Sequence, residues 1–103
     1  MAMDFEKLMK QAQQMQEQVA KAQEELGAMT VEGSAGGGAV VVVMTGTQEC
    51  KEVRIKKEAV DPEDVDTLED LVRAATTDAL AKSKQLAAEK LGGLTGGLRL
   101  PGM

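Results

Sequence analysis

The sequence predicts an α+β fold of two layers: a long N-terminal helix, a three-stranded antiparallel meander and a long C-terminal helix. Three observations carry this. Residues 4–27 are almost all strong helix formers with a heptad of apolar positions. The middle of the chain turns β-branched and alternating around a glycine-rich loop. An Asp-Pro pair followed by acids then opens a second helical period.

The first helix opens at Asp4, an N-cap residue, and closes at Gly27. Phe5, Ala12, Val19 and Leu26 recur every seven positions, and Leu8, Met15, Ala22 and Met29 form a second row three positions later. The seam is narrow, because alanine brings little apolar area, and Met15 and Val19 are its expected anchors. A helix of this length spans roughly 36 Å at 1.5 Å per residue, more than a small sheet covers, so part of it should project into solvent. Between Gln11 and Gln23 six positions are glutamine, an uncharged polar face.

"MTVEG", "AVVVVMT" and "CKEVRIK" are the three expected strands, joined by "GSAGGGA" and by a turn at Thr45-Gly46-Thr47. In the second strand Val40, Val42 and Met44 face one side and Val41 and Val43 the other, so cover is expected on both faces, from a helix layer and from a partner subunit. Asp61 as N-cap and Pro62 at the first helical position start the second helix, whose buried stripe is Val65, Leu68, Val72, Ala75, Ala79 and Leu86. The glycines of "LGGLTGGLRLPGM" should break it. Residues 1–91 then form a single domain and 92–103 a flexible Gly/Leu-rich tail.

Composition narrows the function. The chain has 103 residues with one Phe, no Tyr and no Trp, thin filling for a core, so self-association is expected to supply missing burial. There is no histidine, and Cys50 is the lone cysteine, which leaves no zinc site, no intramolecular disulfide and no catalytic constellation. No cofactor is expected, and no enzymatic activity. "GSAGGGA" lacks the Lys-Ser/Thr pair and following helix of a phosphate loop, which leaves the hairpin reading. The longest apolar run, Ala39–Met44, has strand length, so no membrane span is expected; with no signal-peptide pattern, a soluble cytoplasmic protein is.

The net charge of −5 is unevenly spread. Seven carboxylates lie between Glu58 and Asp70 with no base among them, and favourable interaction with a helix N-terminus accounts for much of that cluster. From Ala79 onward Lys82, Lys84, Lys90 and Arg99 face only Glu89. Two readings of these bases stay open: complementarity to the helix C-terminus, or contact with a polyanion. Lys7, Lys10 and Lys21 of the first helix and Arg54 and Lys56 of the third strand add sparse cations suited to phosphate contact rather than base readout.

"LMKQAQQMQEQ", "VEGSAGGGAVVV", "DPEDVDTLEDLVRAATTDAL" and "LTGGLRLPGM" together resemble, in order and spacing, the YbaB/EbfC family of bacterial nucleoid-associated proteins. The resemblance covers nearly the whole chain. It implies an intertwined homodimer in which the sheets of two subunits associate and long helices protrude like the arms of tweezers. It further implies binding and altered conformation of double-stranded DNA, with roles in nucleoid organisation and gene regulation. On this reading Lys7, Lys10, Gln14, Lys21, Lys82, Lys84 and Lys90 are the expected DNA contacts, with Gln11 and Gln18 as neutral donors beside them. Phe5, Leu8, Met15, Val19, Val40, Val42 and Met44 are the expected core or dimer residues. The other reading is a structural adaptor, in which the seam and the leucine-glycine tail dock a protein of the replication or recombination machinery and DNA binding is incidental.

Overall fold

A computed structural model describes residues 2–94, with side chains from Asp4 onward. The order is α1 (Ala2–Ala28), β1 (Thr30–Ala35), β2 (Val40–Thr45), β3 (Cys50–Ile55), a 3-10 turn (Lys57–Ala59) and α2 (Val65–Leu94). The strands form the expected meander in the order β1-β2-β3, both pairs antiparallel. The α+β class and every predicted element are present.

The core lies between α2 and one sheet face. Val40, Val42 and Met44 are buried against Ala75 and Ala79, with Leu68, Leu71, Val72 and Leu80 packed around them. Each valine so buried contributes on the order of 1.5–3 kcal/mol. Gly33 stands opposite Val42 on the same face. A β-carbon there would overlap Ala79 N and Ala75 O and lie 2.7 Å from Ala79 Cα, so the missing side chain is what lets the α2 backbone touch the sheet. Gly36, Gly37 and Gly38 all have positive φ, which makes the β1–β2 connection a tight turn starting at Gly36, shorter than "GSAGGGA" suggests.

The other face of β2 is only partly covered by the chain itself. Val41 and Val43 are half-buried, and Arg54 reaches across from β3 to Glu32 on β1 at 3.0 Å while pairing with Glu52 at 2.9 Å. Arg54 stands opposite Val41, and Glu32 and Glu52 stand opposite Val43, so the two ion pairs run across that face of the sheet.

α2 begins three residues later than Asp61 and Pro62 imply. Those residues form a turn in which Asp61 O accepts the Asp64 N–H at 3.0 Å and Asp61 Oδ1 the Glu63 N–H at 3.0 Å, the pattern of a type I turn with Pro second. Asp64 is the N-cap: its carboxylate accepts the Thr67 N–H at 3.4 Å and the Thr67 hydroxyl at 2.7 Å. Val65, expected in the buried stripe, is consequently 52% exposed at the helix start. At the other end α2 continues through Gly92 and Gly93 to Leu94, past the expected break. The rest of the expected tail, residues 95–103, lies outside the described residues.

Among the described residues, α1 is anchored only by its C-terminal part, from Val19 on. Ala22 and Leu26 are buried and Val19 is half-buried, while Gly46 N–H donates to Leu26 O and Met29 O, each at 3.0 Å, tying the helix end to the β2–β3 turn. Ser83, fully buried, donates its hydroxyl to Thr45 O at 2.7 Å and closes the junction of α1, α2 and sheet. The N-terminal part of α1 projects, giving a molecule 73 × 27 × 16 Å whose radius of gyration, 19.9 Å, well exceeds the ~13 Å of a compact domain this long.

Candidate nucleic-acid interface

The projecting arm sorts its side chains by the helical period. Lys7, Gln11, Gln14, Gln18 and Lys21 fall at steps of four, three, four and three, a single stripe about 21 Å long. All five are exposed, and Lys10 stands beside them. Lys7, Lys10 and Lys21 make no ion pair among the described residues. Glu6, Glu17 and Glu24 run along a neighbouring stripe about 80° round the helix. The opposite flank carries the apolar seam.

That seam is divided. Its C-terminal members Val19, Ala22 and Leu26 pack inward, whereas Phe5 (65%), Leu8 (63%) and Met15 (37%) are exposed. Phe5, Leu8 and Met15 therefore lie outside this chain's own core, and Ala22 and Leu26 replace Met15 as anchors. The last described residues of α2, Gly93 and Leu94, share a cleft with Gln18, Lys21, Ala22 and Glu25.

The lysines of α2 do not converge. Lys82 sits at the sheet, donating to Glu32 O at 3.0 Å and pairing with Asp78 at 3.2 Å. Asp78 in turn accepts the Ser34 N–H at 3.1 Å, so the pair fills two backbone groups of edge strand β1. The Ser34 N–H, then the Lys82 ammonium, hold the Asp78 carboxyl below its ordinary range. Lys84 is exposed about 200° round the helix from Lys82. Lys90 reaches α1 and pairs with Glu25 at 2.7 Å; its hydrogen bond and charge hold the Glu25 carboxyl low. Of the α2 bases, only Lys90 borders the α1 stripe, in the cleft with Gln18 and Lys21.

β3 is the second edge strand, and all of its residues are exposed. Val53 and Ile55 stand opposite Val42 and Val40, on the face that α2 covers over β1 and β2. They remain 48% and 41% exposed because α2 does not reach them, and Val60 beyond is 53% exposed. Cys50 is exposed on the same strand. No described helix is long and apolar enough to cross a membrane.

Comparison with known proteins agrees with this architecture. The profile of the YbaB/EbfC DNA-binding family matches residues 1–98. A nucleoid-associated protein of Pelotomaculum thermopropionicum is 48% identical over 100 residues, covering 97% of this chain and 95% of that one. Another from Dictyoglomus turgidum is 55% identical over 93 residues, with 90% and 89% covered. A third from Chloroflexus aggregans is 54% identical over 97 residues, with 94% and 97% covered. The crystal structure of uncharacterized protein HP0035 from Helicobacter pylori has the same fold, with a TM-score of 0.80 at 18% identity over 89% of this chain and 97% of that one. With the family profile spanning helix, meander and helix alike, the chain belongs to the YbaB/EbfC DNA-binding family.

Proposed function

We propose that this protein is a nucleoid-associated homodimer of the bacterial cytoplasm that holds double-stranded DNA against its α1 arms and alters the conformation of the duplex. The observation that carries the reading is the continuous Lys-Gln stripe on a helix that stands clear of its own core. Lys7, Lys10 and Lys21 contact phosphates. Gln11, Gln14 and Gln18 donate hydrogen bonds between them without the repulsion that acids there would cause. Lys90 contributes from α2, in the cleft that it shares with Gln18 and Lys21, whereas Lys84 stands apart and Lys82 is spent on the β1 edge. Few cations mean modest affinity, with a shallow salt dependence set by the number of phosphates neutralised.

The dimer contact in this reading is β3. The β1 edge is occupied by Asp78 and Lys82, while β3 is the other edge strand and carries the exposed Val53 and Ile55, with Val60 beyond. Two copies joined there place two α1 arms on one body.

Gel-shift titration of wild type and of the Lys7→Glu/Lys21→Glu variant against a duplex, at low and high salt, tests the reading. Wild type should shift the duplex at micromolar protein in low salt and weaken as salt rises, and the variant should lose the shift. No wild-type shift, or binding indifferent to salt, removes the phosphate mechanism. Sedimentation of Ile55→Asp checks the contact: it should run as a monomer, and a variant that stays dimeric excludes β3.

A further inference from the structure

The two edges of the sheet, β1 and β3, stand differently toward α2. At β1 the helix reaches round the strand: Asp78 Oδ2 accepts the Ser34 N–H at 3.1 Å, Lys82 donates to Glu32 O at 3.0 Å, and the two side chains pair at 3.2 Å one turn apart. Those backbone groups point outward, since Glu32 and Ser34 alternate with Val31, Gly33 and Ala35, which face β2. The same alternation runs on through β2, where Ala39 O accepts the Lys56 N–H, and makes Val53 and Ile55 the outward residues of β3. Their side chains lie exposed on the face that α2 covers only over β1 and β2.

We propose that the β1 edge is a latent strand-addition surface for β3 of a second copy, and that the Asp78–Lys82 bridge keeps it closed. The two edges fit one another. β1 and β3 run the same way within a chain, so a continuous sheet with every α2 on one face sets β3 of one copy parallel to β1 of the next. In a parallel pair a residue bonds the two neighbours of the one it faces. Glu32 facing Arg54 of a second copy therefore bonds its Val53 and Ile55, the outward residues, and sets acid against base. The same step brings the Val53 and Ile55 side chains toward the neighbour's α2, a cover that their own chain does not give. Such a contact joins two different edges, so it never closes, and each added copy offers an edge to the next. With the Ser34 N–H and Glu32 O both taken by α2, one group is missing at each of two consecutive outward positions, and the added strand has no ladder to join. The inference rests on β3 as the edge through which copies associate, and it names what keeps that association a closed dimer instead of an open chain.

Sedimentation of the full chain over a range of concentrations, with circular dichroism to verify folding, tests it. Asp78→Ala/Lys82→Ala should form species larger than wild type, with a mass that rises with concentration. Adding Ser34→Pro removes the outward N–H without touching the β1–β2 ladder, and should return the wild-type mass. Adding Ile55→Asp instead should also stop the growth, by spoiling the β3 side. Where the double variant loses its helix signal, Lys82→Ala alone serves: Asp78 keeps the Ser34 N–H while Glu32 O is released, and growth should be weaker but present. A folded variant of wild-type mass, or growth that survives Ser34→Pro, overturns the proposal. The dimer reading fails separately, through a monomeric wild type; growth of the variant from that monomer would still support the closure of β1.

Discussion

Gly33→Ala is the most direct challenge to the way α2 meets the sheet. The new methyl would overlap Ala79 N and Ala75 O and sit 2.7 Å from Ala79 Cα, all of them backbone atoms of a regular helix. Ordinary contact begins near 3.4 Å, so α2 must lift by roughly 0.7 Å or more. A radial gap of 0.5–1 Å forfeits about a quarter to a half of each van der Waals contact, and the lifted residues include Ala75 and Ala79 over Val42. Overpacking of this kind costs about 1–3 kcal/mol, sometimes more, against about 0.4–1 kcal/mol returned by the stiffer unfolded chain. A net loss of about 1–2.5 kcal/mol, or roughly 4–20 °C in Tm for a domain this size, is expected. Urea unfolding of wild type and variant, at equal protein concentration because association shifts apparent stability, reads it. Gly37→Ala is the control, since open space surrounds it and only its φ of +68° opposes a side chain. If Gly33→Ala proves as stable as wild type, or costs less than Gly37→Ala, the close approach of α2 is wrong.

Removing the Ser83 hydroxyl by Ser83→Ala should cost about 1 kcal/mol in the same assay; Thr45 O keeps its bond from the Gln48 N–H, so no bare carbonyl is left. Asp64→Ala should cost about 1 kcal/mol as a lost N-cap, and Asp61→Ala less; the reverse order would restore Asp61 as the helix start. Acid should destabilise the protein through two carboxylates. Asp78 and Glu25 titrate below their ordinary range in the fold, so their contribution is full above the unfolded pKa and lost as pH falls below about 4. In Asp78→Asn/Glu25→Gln the decline of stability between neutral pH and pH 3 should be shallower, and an unchanged slope would contradict both pairings.

Much of the fold was legible because each element carries its own period. The α1 seam, the three β-branched runs and the Ala75 and Ala79 stripe repeat at intervals that backbone geometry demands. What failed locally failed by competition. Asp61-Pro62 and Asp64 are both good helix starts, and the turn that Asp61, Pro62, Glu63 and Asp64 close among themselves decided for the second. Ser83 was missed because a serine between lysines reads as surface; its burial depends on three elements meeting. The candidate site divides the same way. The Lys7, Gln14 and Lys21 stripe follows from sequence spacing, but the separation of Lys82, Lys84 and Lys90 does not, because it depends on which face of α2 the sheet takes.

By itself, then, the sequence determined the kinds of element, their order and the sorting of α1 into apolar, neutral and acidic stripes, since these rest on local periodicity and propensity. Tertiary structure alone decided that Gly33 brings α2 across β1 and β2 while leaving β3 bare. It also decided that Arg54 pairs with Glu32 and Glu52 across the far face of the sheet, and that Phe5, Leu8 and Met15 of the α1 seam are exposed while Ala22 and Leu26 are buried. Those outcomes depend on the distance and angle between elements distant in sequence, which no local pattern encodes.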